Sequence, residues 1–159
     1  MKKYLRILYC ITVCLTVGFL SGKITQSSIN TWYPTLIKPI FNPPNWIFAP
    51  VWTMLYILMG TAAGLIWNEM ESQTKEVKNA LKYFVFQLAL NALWSYLFFG
   101  LQNLLLASIE IILLLLVIFE CYKLFKPINP KASYMLIPYL AWVSFATLLT
   151  FSIYYLNNF

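Results

Sequence analysis

The stretch NALKYFVFQLALNALWSYLFFGLQNLLLASIEIILLLLVIFECYKLF, residues 79–125, decides the fold. It holds two apolar runs, 79–99 and 104–125, separated by Gly100 and the short Leu101-Gln102-Asn103 connection. At about 1.5 Å of rise per residue, each run is a helix about 30 Å long, the thickness of the hydrocarbon core of a bilayer. Two such helices joined by so few residues form a membrane hairpin.

Working outward, the same pattern recurs. Pro39, Pro43 and Pro44 forbid helix at the start of the next uncharged stretch, so a span is predicted over 45–68 with Asn45 as N-cap. Trp46 and Trp67 bracket it like an aromatic belt at each interface. Residues 5–24, uncharged from Ile7 to Gly22, make a short first span. A signal peptide would need small residues before a cleavage point, and no convincing A-x-A precedes one here, so the span is read as retained. After residue 125, Lys126-Pro127-Ile128-Asn129-Pro130-Lys131 interrupts the pattern, and a fifth run covers 132–156. The expected architecture is an all-α membrane protein, a single five-transmembrane-helix bundle over 1–159 whose long first loop, Lys23 to Asn45, acts as a lid. Trp32, Tyr33 and four prolines make that loop unlike a floppy linker.

Composition agrees. Of 159 residues 61% are hydrophobic and 10% charged, with mean hydropathy +0.72. A soluble domain carries about 25% charged residues. The net charge of +6 does not indicate nucleic acid, because the basic residues flank apolar runs rather than line one face. Five spans put Lys2, Lys3, Arg6, Lys75, Lys78, Lys82, Lys123, Lys126 and Lys131 on one side and only Lys23 and Lys38 on the other. The positive-inside rule then makes the N-terminus cytoplasmic and the C-terminus outside. The absence of His removes the usual general base and commonest metal ligand, and no other constellation suggests hydrolysis or a metal site. Cys10, Cys14 and Cys121 read as small buried hydrophobes.

Polar residues inside spans mark inward faces, because they are costly in lipid. Gln87, Asn91 and Ser95 recur at i, i+4 and i+8, with Trp94 beside them. Phe48, Trp52 and Tyr56 make an aromatic stripe on the second span, and Tyr139, Trp142 and Ala146 make another on the fifth. Such stripes serve interhelical packing and hydrogen bonding, or together they wall a slot for a flat apolar ligand. Glu110, the one carboxylate deep in a span, reads first as a hydrogen-bonded structural acid and second as a functional proton or ligand group. Glu120 and Lys123 are expected to pair. Gly18-x-x-x-Gly22 and Gly60-x-x-x-Gly64 allow close helix approach, within the bundle or between protomers.

Several motifs then occur in a distinctive order: Trp32-Tyr33, Lys38-Pro39, Pro43-Pro44, Trp46, Pro50-Val51-Trp52, Leu55-Tyr56 and Met59-Gly60. Gln87-Leu88-Ala89-Leu90-Asn91 with Trp94, Phe98-Phe99-Gly100, and Pro138-Tyr139-Leu140-Ala141-Trp142 with Phe145-Ala146-Thr147 follow. Over nearly its whole length the chain resembles the TspO/MBR family, whose members are also called translocator or tryptophan-rich sensory proteins. The resemblance implies a five-helix bundle, often homodimeric, with a pocket that opens toward the first loop and binds porphyrins such as protoporphyrin IX. Carried over by position, the ligand-binding residues are Tyr33, Pro43, Trp52, Tyr56, Asn91, Trp94, Ser95, Trp142 and Ala146. Some bacterial members of the family degrade protoporphyrin in light, which points to Trp52 and Trp142 as photochemical residues. No resident cofactor is implied. The family's sterol motif wants a basic residue after its aromatic, but Tyr154-Tyr155 lead only to Asn157, Asn158 and Phe159. The resemblance and composition suggest a bacterial plasma membrane protein. Porphyrin sensing, regulation or disposal is the first functional expectation, and a transporter or channel using Glu110 is the alternative.

Overall fold

The computed structural model describes residues 1–159. The elements are α1 (Lys2–Ile29), α2 (Asn45–Asn68), α3 (Thr74–Ser95), α4 (Leu104–Ile128), α5 (Pro130–Met135) and α6 (Ile137–Asn158). The chain has no strand, and five helical spans are long and apolar enough to cross a membrane, α5 and α6 together forming the fifth.

Spans outrun the expected limits because local chemistry permits it. α1 continues to Ile29, past the expected end at 24, with the Thr25 hydroxyl donating to the Ser21 carbonyl and the Ser28 hydroxyl to the Phe99 carbonyl. The first connection is therefore residues 30–44, shorter than expected. Asn45 is the first residue of α2 rather than its cap; Pro44 holds that place, its carbonyl accepting from the Ile47 N–H. α3 begins at Thr74, five residues before its apolar run, with Glu76 in its first turn, where a carboxylate suits the helix dipole.

The hairpin turn is a wide one. Tyr96–Gly100 form a π turn, with Leu101 N–H donating to the Tyr96 carbonyl at 2.7 Å, and Gln102 takes the left-handed conformation at φ 54°. Asn103 then caps α4 through Oδ1 and the Leu106 N–H at 3.0 Å. The proline-rich break is narrower than its sequence suggests, since α4 runs through Pro127 to Ile128 before Asn129 turns extended. Asn129 Oδ1 accepts from the N–H groups of Lys131 and Ala132, and Pro130 occupies the first helical position, where no N–H is needed. Pro138 sits at the start of α6 and leaves Leu136 as the hinge between α5 and α6.

Helix packing is tightest between α1 and α2. A Cβ at Gly60 would collide with Ile11 Cα, and one at Gly64 with Ile7 Cα. The Gly60-x-x-x-Gly64 pair is thus spent within the bundle, bringing two backbones into contact. Around it lies the principal core, including Met59, Ile66, Ile118 and Phe125, with Phe84 stacked on Phe125 at 6.1 Å. Glu120 and Lys123 pair at 2.6 Å as expected. Glu110 is different: it is 7% exposed, and neither carboxylate oxygen has a hydrogen-bond partner. The expected structural hydrogen bond is absent; the buried residues beside it on its own helix, Ala107, Ile111 and Leu114, are aliphatic.

Candidate functional site

Toward the loop end the helices separate around a cavity of about 440 Å³, within the range that holds a small hydrophobic molecule. Five pieces build it: α1, the first three turns of α2, the end of α3 with its π turn, α6, and Tyr33 of the first loop. Each supplies aromatics at helical spacing. On α2, Phe48, Trp52 and Tyr56 fall on one face; Trp52 lies 5.7 Å from Tyr56, and Phe48 meets Trp142 edge-on at 6.2 Å. On α3, Trp94 stacks on Phe98 at 5.0 Å, since the π turn shifts Phe98 and Phe99 inward beside it. Tyr33 closes against Phe99 at 5.7 Å.

The structure brings Tyr33, Trp52, Tyr56, Trp94, Ser95, Trp142 and Ala146 to this one cavity. Pro43 and Asn91 do not line it. Asn91 lies beneath, where its Oδ1 accepts from the Tyr56 hydroxyl at 2.6 Å and its Nδ2 donates to the Tyr139 hydroxyl at 2.7 Å. The Tyr139 hydroxyl donates to Gln87 Oε1 at 2.9 Å. Most of the polar stripe on α3 is therefore consumed by a buried network tying α2, α3 and α6 together. Only Tyr56 belongs to both network and cavity. Pro43 acts at one remove: its carbonyl accepts from Asn42 Nδ2, while Asn42 Oδ1 accepts from the Tyr33 hydroxyl at 2.7 Å.

Electrostatically the cavity is neutral, with no charged side chain among its lining residues. Its aromatic walls are apolar surface; the indole N–H groups of Trp94 and Trp142 are buried within those walls without a partner. Lys38 of the first loop is engaged outside the cavity: its Nζ donates to the carbonyls of Leu36 at 2.8 Å and Tyr33 at 3.0 Å and sits over the Tyr33 ring. Lys23 is exposed over Phe19. Burial pushes the Tyr33 phenol up to about 12, outweighing its bond to Asn42, so it stays protonated and donating.

Sequence reasoning overlooked the α1 wall. Gly18, Ser21, Gly22, Thr25, Gln26 and Ile29 all line the cavity. Their spacing of i, i+3, i+4, i+7, i+8 and i+11 is one continuous helix face, and its first five members are small or polar residues in an otherwise apolar run, a signal that was present to be read.

With this geometry established, comparison with known proteins is specific. The TspO/MBR family model matches residues 10–156. The chain is 41% identical over 160 residues to the tryptophan-rich protein TspO of Chlorobaculum tepidum, covering 98% of both chains. It is 42% identical over 154 residues to the tryptophan-rich protein TspO of Archaeoglobus fulgidus, covering 96% of this chain and 97% of that one. The bovine translocator protein is 36% identical over 141 residues, 89% of this chain and 83% of its own.

Proposed function

The chain belongs to the TspO/MBR family of multi-pass membrane proteins, and from that premise we propose that it binds porphyrins such as protoporphyrin IX, and related flat hydrophobic molecules, in the aromatic cavity. Its role on this reading is receptor-like, in tetrapyrrole sensing, regulation or disposal. The observation that carries the reading is the cavity itself: its lining is uncharged and rich in aromatic faces, which suit a flat π-system. The transport alternative loses support, because Glu110 is not among the lining residues.

The protein is further proposed to lie in a bacterial plasma membrane with its N-terminus cytoplasmic, as its lysine and arginine distribution indicates. A homodimer is proposed on the family resemblance. Since Gly60 and Gly64 are occupied by α1, its interface uses another face.

Titration of purified protein with protoporphyrin IX in the dark, followed by Trp emission, tests the reading. Saturable quenching is expected, weakened about tenfold or more, or about 1.4 kcal/mol, in a Trp52→Phe/Trp142→Phe double variant after correction for lost fluorophores. Equal, non-saturating partitioning in both proteins would overturn it. A second reading, light-dependent breakdown of the bound pigment, is favoured by Trp52 and Trp142 standing on the same cavity. It requires a new product from porphyrin, light and dioxygen that forms only when one of these indoles is present. Bleaching no faster than in empty detergent would exclude it.

A further inference from the structure

The walls of the cavity are unequal. Its lining residues on α3, α6 and the first loop are buried or half-buried, whereas the exposed ones, Gln26, Asn45, Trp46, Ala49 and Thr53, all belong to α1 or α2. The reason lies in how that pair packs. Gly60 and Gly64 pin α2 to α1 at the far end, and the Tyr56 ring presses on Gly18 at mid-height. One turn further, Gly22 meets nothing within 4 Å. The two helices therefore part toward the loop end, and the gap between them is the open side of the cavity.

The loop above is tied down instead. Ile37 N–H donates to Asn157 Oδ1 at 3.0 Å, and Asn157 Nδ2 donates back to the Ile37 carbonyl at 2.9 Å, fastening the loop to the end of α6. Lys38 fastens the loop to itself through the carbonyls of Tyr33 and Leu36. Tyr33, the loop's contribution to the cavity, is 2% exposed.

Depth decides what the open side faces. Thr53 lies eight residues into α2, about 12 Å along its axis from Asn45, so the gap extends from the interface well into the hydrocarbon layer. At that depth the surroundings are acyl chains, and the edge suits them, since the Thr53 hydroxyl is satisfied by the Ala49 carbonyl at 2.8 Å.

We propose that ligand enters and leaves sideways, from the loop-side leaflet through the slot between α1 and α2, so that the protein draws on flat apolar molecules dissolved in the membrane. The proposal rests on the preceding reading that the cavity binds such a molecule. It accounts for the uncharged lining: a ring sliding in from lipid has no hydration shell to lose, and carboxylates attached to it stay at the interfacial end, beside Gln26 and Asn45.

The test uses the whole protein in lipid vesicles and two probes, free protoporphyrin IX and a phospholipid carrying a porphyrin on one acyl chain, which cannot leave the bilayer. Both are expected to quench Trp emission saturably and to compete. Ala49→Trp, at the exposed slot edge, is expected to slow association and dissociation about tenfold, whereas Asn157→Ala, which unties the loop, leaves both rates unchanged. Binding of the free porphyrin with exclusion of the tethered one, whether by acyl chains or by a second copy covering the slot, would overturn lateral entry and leave the binding reading intact. Faster exchange in Asn157→Ala with no change in Ala49→Trp would overturn it equally. Saturation by neither probe would overturn the binding reading, and this proposal with it.

Discussion

The two ends of the α1–α2 pair are built from the same helices and behave oppositely. At one end glycines at 60 and 64 let the α1 backbone sit directly on α2, and no space remains. At the other, the Tyr56 ring lies on Gly18 and a turn further nothing stands within 4 Å of Gly22, so the helices part and the separation is a cavity lined by Trp52 and Tyr56. The contrast teaches that a membrane bundle, which gains little from moving apolar groups out of lipid, is closed by backbone proximity and buried hydrogen bonds. Where that backbone contact is missing, helices separate and binding space results.

Substitutions should separate these roles. The largest loss is expected from Gly60→Leu, which drives a side chain into the Ile11 backbone and should cost about 3 kcal/mol or prevent folding. Gly22→Ala, in open space, should leave thermal unfolding in detergent unchanged; equal damage from both would break the comparison. Next, Asn91→Leu keeps the shape of the network's centre but takes away the acceptor of the Tyr56 hydroxyl and leaves the Tyr139 hydroxyl only its bond to Gln87, costing about 1–3 kcal/mol by the same measurement. A loss no larger than that of an exposed-site control would show the network to be incidental.

Glu110→Leu tests the opposite sign. The carboxyl is buried without partners, so replacing it with an apolar side chain of similar size should stabilise the bundle by about 1 kcal/mol, and a clear destabilisation would reveal an unseen partner. The smallest effect belongs to the loop. Tyr33 ionises at about 12 in the folded protein against about 10 when free, so its folded pKa is raised. Its contribution is complete below pH 10 and is lost as pH rises from about 10 to 12. Proteolysis of residues 30–44 should therefore quicken over that interval, and Tyr33→Phe should abolish the dependence.

Much of this was legible beforehand. The hairpin at 79–125 needed only length and apolarity, and the ion pair of Glu120 with Lys123 needed only spacing. The stripes on α2 and α6 led to Trp52, Tyr56, Trp142 and Ala146, which do share a cavity. Asn91 shows where such reasoning ends: a polar face points inward, but the sequence does not say whether a ligand or a tyrosine receives it. Glu110 shows the same limit, since burial follows from hydropathy but the absence of a partner does not.

By itself, then, the sequence determined how many times the chain crosses the membrane and which helix faces turn inward, because these depend on length, hydropathy and periodicity, all local properties. Only the tertiary structure decided that Asn91 is spent on the Tyr56 and Tyr139 hydroxyls, that Gly60 and Gly64 serve the bundle from within, and that the cavity opens between α1 and α2. Those depend on which backbone approaches which, and distance between helices is set by pairs of residues far apart in the chain.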